Sequence, residues 1–517
     1  MDEKTTSQRP AVLIDNVSDP DTLSLSSEDQ QVMAQMGKRQ QLKRRFNFFT
    51  LLGLSITLVC SWEAFGSALG ISMIAGGPSS VVYGLMFTFA GTLALSASVA
   101  EMASICPISG AQMHWTYMFA PKEWRIVATS TSLCFLLAGQ LQGLIKLNNP
   151  EYILERWHTT LIMWAIILVS YVQHIWTIRF LPKLQLFTGV LHFLTFFVLV
   201  VVMLVMGRNS TADFVFTGFV NQTGWKSDGV SWFVGLLPAI WTFNGFDGAI
   251  HLSEETEHSA HAIPKVIMYS ILVNGPMTWI FGVLCLFSIS DFSAVLATPT
   301  GYPLVEILQQ ATRGRAGATV IYSLILTITF GAMFADIASV SRLTWAFARD
   351  NGLPFSTYFK RIETNERIPV RAVKLLCAVM VLLSLINIGS TVALNAILSL
   401  ATMSLYISYI IPIFCLISMR LRVKDKVYNS TAGYAEVSED RLVFGPWNLG
   451  KWGMLINVCA VTYATLLLPF MSLPTSLPLT YSTMNYAGPI VLLVLSFASV
   501  DYLVRGRKFY VGPQRET

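Results

Sequence analysis

From Lys374 to Arg420 the sequence runs without a charged residue, and it does so again between Arg45 and Glu63 and between Glu63 and Glu101. Apolar stretches of this length match the roughly 20 residues that carry a helix across a bilayer. Only 13% of the 517 residues are charged, whereas about a quarter are charged in an average soluble domain. A soluble enzyme is therefore not expected, and neither is a β-barrel, whose strands would alternate apolar and polar residues over about 10 positions. The sequence predicts an all-α integral membrane protein.

Twelve spans are predicted, at 46–74, 81–105, 126–145, 161–178, 184–206, 232–252, 266–289, 316–340, 373–388, 392–419, 453–473 and 486–504. An even number places both termini on one side, and 29 of the 35 Lys and Arg fall in segments on that side. Both ends are then cytoplasmic, because basic residues accumulate in inner loops. The expected organisation is an N-terminal tail (1–45), a first five-helix unit (46–206), a second (231–419), accessory helices 11 and 12 (453–504) and a C-terminal tail (505–517). On the outer side this topology exposes two glycosylation acceptors, Asn209-Ser-Thr and Asn221-Gln-Thr. The seven cysteines lie in or beside spans with no CxxC pair and read as small buried hydrophobes. No metal and no cofactor is expected. The stretch Gly445-Pro-Trp-Asn-Leu-Gly-Lys451 imitates a phosphate-binding loop, but Trp452 stands where Ser or Thr must hold magnesium. Nucleotides are excluded as ligands on that ground, and no nucleic-acid partner is expected.

Two spans carry a carboxylate and small residues at mid-depth. The first contains Ser61-Trp62-Glu63-Ala64-Phe65-Gly66, and the sixth contains Phe243-Asn244-Gly245-Phe246-Asp247-Gly248. An ionisable group there must face protein or a water-filled cavity. The interruption recurs after five helices, which is the sign of a five-helix repeat inverted in the membrane. Unwinding a helix at that depth presents amides on one side and carbonyls on the other, a site for a small amine or zwitterion. The aromatic residues Trp62, Phe65, Trp241, Phe243 and Phe246 flank the two breaks, and their faces suit a cationic nitrogen. The expected substrate-binding set is these five with Glu63, Gly66, Asn244, Gly245 and Asp247.

Several ordered motifs then point to a family. Trp62-Glu63-Ala64 is followed by Ile74-Ala-Gly-Gly-Pro78, and Ala100-Glu101-Met102-Ala103 by Pro107-Ile-Ser-Gly110. Later come His251-Leu-Ser-Glu-Glu255 with Ile263-Pro264-Lys265, and Ser341-Arg342-Leu343 with Ala348-Arg349-Asp350-Asn351-Gly352-Leu353-Pro354. Over about residues 44 to 505 the chain resembles the amino acid–polyamine–organocation permeases, and within them the fungal amino acid, GABA and choline permeases. The resemblance implies two inverted five-helix repeats plus two accessory helices, with substrate held between the first and sixth. It implies that Glu101, Glu254, Glu255, Arg342, Arg349 and Asp350 fasten an inner gate. It also puts His192 where a proton-coupled relative has a lysine in place of a sodium ion, making His192 the candidate for proton coupling.

The chain departs from the family in two ways. Its first break holds Trp62, Glu63 and Phe65, with Gly66 the one glycine, where amino acid permeases are glycine-rich. Its third span is short, with 20 residues between Arg125 and Lys146. The expected function is secondary active uptake of choline, GABA, an amino acid or a polyamine across the plasma membrane by proton symport. The alternatives are a nutrient sensor that does not transport and a permease inactivated by the truncated third helix.

Overall fold

The computed structural model describes residues 29, 32–34, 36–119, 133–153, 155–207, 209–353, 355–363, 366–389, 391–423, 427–429, 436–438, 441–481, 483–501 and 503–504. Nearly all of the N-terminal tail up to 28, the C-terminal tail 505–517 and positions 126–132 of the expected third span lie outside these. The main helices, in chain order, are α1 (Phe48–Val59), α2 (Ser61–Ile74), α3 (Pro78–Ile105), α4 (Ala111–Phe119), α5 (Leu133–Asn148), α6 (Arg156–Trp176), α7 (Leu181–Met206), α8 (Asp228–Gly235) and α9 (Leu237–Thr242). A 3-10 segment, Phe246–Glu255, follows. Then come α10 (Ser259–Ser288), α11 (Pro303–Thr312), α12 (Arg315–Arg349), α13 (Val370–Gly389), α14 (Thr391–Arg422), α15 (Gly453–Met471) and α16 (Ala487–Asp501). A small sheet of β1 (Val427–Asn429), β2 (Glu436–Ser438) and β3 (Arg441–Phe444) occupies the loop after α14, with β3 in the centre.

Among the described residues nine stretches are long and apolar enough to cross a membrane. The chain is a multi-pass helical membrane protein. Of the three expected spans outside that number, the sixth is divided among α8, α9 and the 3-10 segment, while the described parts of the third and twelfth are α5, with 16 residues, and α16, with 15.

Lipid-facing and protein-facing sides separate cleanly on α7, where Val190, Leu194, Phe197, Val198 and Val201 are exposed while Gln185, Thr188, His192 and Thr195 are buried. In lipid, apolar burial does not drive helices together, so small residues that let backbones approach decide the packing. Gly53 of α1 and Gly189 of α7 meet in this way. Where the end of α2 meets α8, Gly235 passes so near the Ala75 carbonyl that a Cβ has no room, and Ser72 Oγ donates to Gly235 O at 2.7 Å.

The first interruption lies at Cys60, which adopts a left-handed conformation (φ 44°) between α1 and α2. That is one residue before the expected stretch, and Ser61 to Gly66 are helical. Asn274 of α10 bridges the break: its amide donates to Ile56 O at 3.4 Å, and its Oδ1 accepts from Ser61 Oγ at 2.6 Å. The second interruption falls where expected, at Phe243–Gly245, with Gly245 at φ 89°. Glycine adopts that region without the cost a Cβ brings.

Replacing Gly235 by Ala forces the Ala75 backbone to move, and an overpacked site of this kind costs about 1–3 kcal/mol. Thermal unfolding of the detergent-solubilised chain should show a clear drop in midpoint for Gly235→Ala and a smaller one for Gly229→Ala, which has open space around it.

Candidate functional site

Because α2 begins at Ser61, Glu63 sits in its first turn, where the positive end of the helix dipole favours a carboxylate. Across from it α7 presents His192, and His192 Nδ1 lies 2.7 Å from Glu63 Oε1, both side chains being fully buried. Aromatic rings enclose the pair. The Trp62 ring is 5.6 Å from that of His192, 5.4 Å from Phe281 and 6.0 Å from Phe196. Glu63 Oε2, His192 Nε2 and the Trp62 indole N–H have no partner among the described residues. Buried polar atoms are nearly always satisfied. An acceptor, a titratable nitrogen and a donor left open together mark a place for a polar ligand. One turn on, Ser67 Oγ donates to Glu63 O at 2.8 Å and accepts from Gln140 Nε2 of α5, which docks the third span against the site helix. Phe65 belongs to the same apolar cluster, and Gly66 is where Leu304 and Phe281 press against α2.

At the second break Phe243, Asn244 and Gly245 form the turn and Trp241 precedes it, half-buried. Phe243 reaches towards Phe89 (6.2 Å between ring centres), and Phe246 packs against Tyr409 at 5.1 Å. Asp247 Oδ2 accepts from Gln112 Nε2 of α4 at 2.6 Å and lies 3.9 Å from His251 Nε2 one turn along. Of the expected substrate set, then, Trp62 and Phe65 share an apolar cluster with Phe243, and Glu63, next to Trp62 in the chain, is joined by His192, whereas Phe246 packs in another cluster. Asp247 is held by partners different from those of Glu63.

The six residues expected at an inner gate are all buried and all paired. Arg349 grips Glu254 through two bonds of 2.8 Å, and Arg342 Nε donates to Glu255 at 2.6 Å. Glu101 Oε1 accepts from Leu449 N at 2.9 Å, and its other oxygen takes Arg420. Asp350 binds Lys38 at 2.5 Å and lies 3.1 Å from His114 Nε2. The N-terminal segment is woven into this cluster: Gln40 donates to Glu254 O at 2.6 Å, and the Arg45 and Phe46 amides donate to Glu255 O at 2.8 and 3.0 Å. Burial alone would raise the Glu254 carboxyl, but Arg349, the Ser109 amide and Lys38 outweigh it and hold it below its ordinary value. Burial likewise opposes ionisation of Asp350, yet His114 and Lys38 bring its carboxyl well below the usual range.

Sequence reasoning did not find Lys38, Gln112, His114, Asn274 or Arg420. Lys38 and Arg420 stood in basic segments read only for topology, and His114 and Gln112 at a span end. It also passed over Asp336 in α12, a carboxylate inside a predicted span and with no ion pair among the described residues; its position in a charge-poor run was the available signal.

A family model described as amino acid permease matches residues 46–496. This chain belongs to that family. It is a permease, as its motifs implied. A choline transporter of Saccharomyces cerevisiae is 28% identical to it, over 90% of this chain and 82% of its own length. The GABA-specific permease of the same yeast is 27% identical, over 94% of this chain and 86% of its own. Amino-acid permease 2 of Neurospora crassa is 26% identical, with 96% and 91% covered.

Removing one partner of a buried ion pair leaves the other charge stranded, at a cost of about 3–5 kcal/mol. Arg349→Met should therefore lower the thermal midpoint far more than the double variant Arg349→Met with Glu254→Gln. The pH dependence has a definite sign. A carboxyl held below its ordinary value stabilises fully above that value and loses the contribution as pH falls through its folded one. Unfolding midpoints of the unaltered permease should thus decline below pH 4.5, the ordinary Glu value, and Glu254→Gln with Arg349→Met should flatten part of that decline.

Proposed function

We propose that this permease takes up a small amine or zwitterion across the plasma membrane by proton symport, with the substrate between the two helix breaks. In this reading twelve crossings form two inverted five-helix repeats, 46–206 and 231–419, and accessory helices 11 and 12 lie within 453–504. Both termini are cytoplasmic. Residues 1–45 and 505–517 are then cytoplasmic tails.

The observation that carries this reading is the Glu63–His192 pair, fully buried at the first break, with Glu63 Oε2, His192 Nε2 and the Trp62 N–H unfilled. An imidazole changes charge between about pH 5 and 8, so the pair supplies both a carboxylate for a cationic nitrogen and a seat for a proton. The faces of Trp62, Phe196 and Phe281 add cation–π attraction. Choline, GABA and amino acids, after which the relatives are named, all carry the nitrogen this arrangement suits. Gly245 and Cys60 supply the hinges, and the residues from Trp241 to Asp247 form the other wall. Docking of α5 on Ser67 supports a third helix that packs as a working permease requires. On the outer loop both acceptor amides are already donated, that of Asn209 to Ser288 O and that of Asn221 to Trp225 O and Asp228, and Asn209 is the more exposed of the two. Exposure favours Asn209 as the glycosylated position.

Uptake of radiolabelled choline, GABA, amino acids and polyamines by cells lacking their own permeases, at about pH 5 and about pH 7.5, tests the proposal. One solute should enter, faster at the lower pH and not after an uncoupler is added. Glu63→Gln should reduce that uptake about tenfold or more, equivalent to 1.4 kcal/mol, at unchanged surface expression. Undiminished uptake in both Glu63→Gln and Asp247→Asn removes the site from these two breaks.

A further inference from the structure

The Glu63–His192 pair also determines which kinds of charge can share the site. His192 Nδ1 and Glu63 Oε1 are 2.7 Å apart, and with Glu63 as the carboxylate the ring nitrogen must donate, so that Nδ1 then carries a proton in either state of the ring. With a neutral ring, Nε2 presents a lone pair beside the open Glu63 Oε2, and the pair bears one negative charge. With a protonated ring, Nε2 becomes a donor, and the pair is neutral overall.

Around it are the rings of Trp62, Phe196 and Phe281, and an uncompensated charge in such surroundings is costly. An organic cation with a neutral His192 balances the site. The same cation with a protonated His192 leaves one positive charge unmatched. A zwitterion behaves in the opposite way. Its ammonium can meet Glu63 Oε2 in either state, but its carboxylate needs donors; the Trp62 indole N–H is open in both states and a protonated His192 Nε2 adds the one cationic donor beside the pair, the other open groups, such as the Thr195 and Tyr322 hydroxyls, being neutral.

We propose that Glu63 and His192 together admit one compensating positive charge, so that a proton on His192 and a cationic substrate exclude one another, whereas a proton and a zwitterion bind together. His192 is then a specificity-determining residue. Proton symport through this pair selects a zwitterion with a separated amine and carboxylate, and a monocation such as choline competes with the proton. The inference rests on the reading of this pair as the substrate site.

Other titratable groups on the elements packed here are few. The Cys60 thiol beside Glu63, Cys285 on α10 and the Tyr322 phenol on α12 belong to the same cluster. Thiols and phenols ordinarily ionise above about pH 8. Glu306 on α11 is engaged by Gln310. Glu101 on α3 and Asp228 on α8 are engaged by Arg420 and Asn221, and Asp336 on α12, which packs against α7, is the control.

The test is equilibrium binding of radiolabelled GABA and of radiolabelled choline to the full chain in lipid nanodiscs, from about pH 5 to about pH 7.5. One proton bound with the ligand makes GABA affinity fall by up to about tenfold per pH unit, and one proton displaced makes choline affinity rise by as much. The opposite slopes are read in the unaltered protein and need no variant to fold. His192→Gln, which keeps a donor towards Glu63, should flatten both, and Asp336→Asn should leave both. Slopes of the same sign for the two ligands overturn the inference, as do slopes that survive in His192→Gln and vanish in Asp336→Asn. Failure of GABA to bind at the acid end overturns it as well. In each of these cases uptake that still depends on Glu63 leaves the permease site standing, whereas uptake indifferent to Glu63→Gln and Asp247→Asn removes the site itself.

Discussion

A carboxylate inside a bilayer-spanning bundle has to be matched by a positive group or by donors, and the centre of this protein is arranged around two that are. Glu63 is matched by the start of α2 and by His192; Asp247 is matched by Gln112, with His251 a turn away. Each would be costly in an uninterrupted apolar helix facing lipid. The break at Cys60 creates the helix start that Glu63 occupies, and the turn at Gly245 sets Asp247 at the head of a segment that is no longer α-helical. At these two places the interruption lowers the cost of the charge.

The same accounting explains the end that the proposed orientation makes cytoplasmic, the opposite end being outer. Glu254, Glu255, Asp350 and Glu101 are all buried, and each has a cationic partner, drawn from α12, α14 and the N-terminal segment. Such pairs add little net stability over an apolar contact, because desolvating the ions offsets most of their attraction. Their usefulness lies in being separable. When water enters, the lost attraction is replaced by hydration, so for the inner gate that the family resemblance implies, paired ions part at a lower net cost than interlocked apolar side chains. The ten-residue 3-10 segment from Phe246 to Glu255 carries Asp247 at one end and the gate glutamates at the other, which places both polar clusters on one short, irregular element.

Much of this was legible in the sequence because membrane insertion penalises charge so heavily. Charge-free runs gave the spans, and the carboxylates left inside them gave the two breaks. What the sequence could not give was partnership. Nothing in the spacing pairs position 63 with 192 or position 38 with 350, because those pairings depend on how α2 meets α7 and how the N-terminal segment crosses beneath α12. The first break was placed a residue late because its cause lies outside the local sequence: Cys60 is a poor candidate for a left-handed conformation, and it is Asn274 of α10 that secures the strands of backbone on either side. Gly245 announces its own turn, and there the expectation and the structure coincide.

The first and sixth spans are broken in the middle and tied at both ends. On the outer side the end of α2 meets the end of α8, where Gly235 fits under the Ala75 carbonyl and Ser72 bonds Gly235 O. On the inner side Phe46, just before α1, pairs with Thr256, just after the 3-10 segment, as a short parallel bridge. Between these ties Glu63 and His192 have no exposure at all. If the pair is the substrate site, as proposed, a solute reaches it only when one tie loosens, and the two ties differ in what holds them. The outer is close backbone packing beside an antiparallel bridge from Ala75 to Asn221, with no ion pair at this tie among the described residues, whereas the inner is a bridge set within a cluster of buried ion pairs. Unlike ties respond to different events, the outer to small shifts in helix angle and the inner to water and charge. With a hinge at Cys60 and another at Gly245, each half-helix can turn without carrying its partner half along, so one tie can open while the other holds. This is the minimum geometry that lets a central site face one side of a membrane at a time.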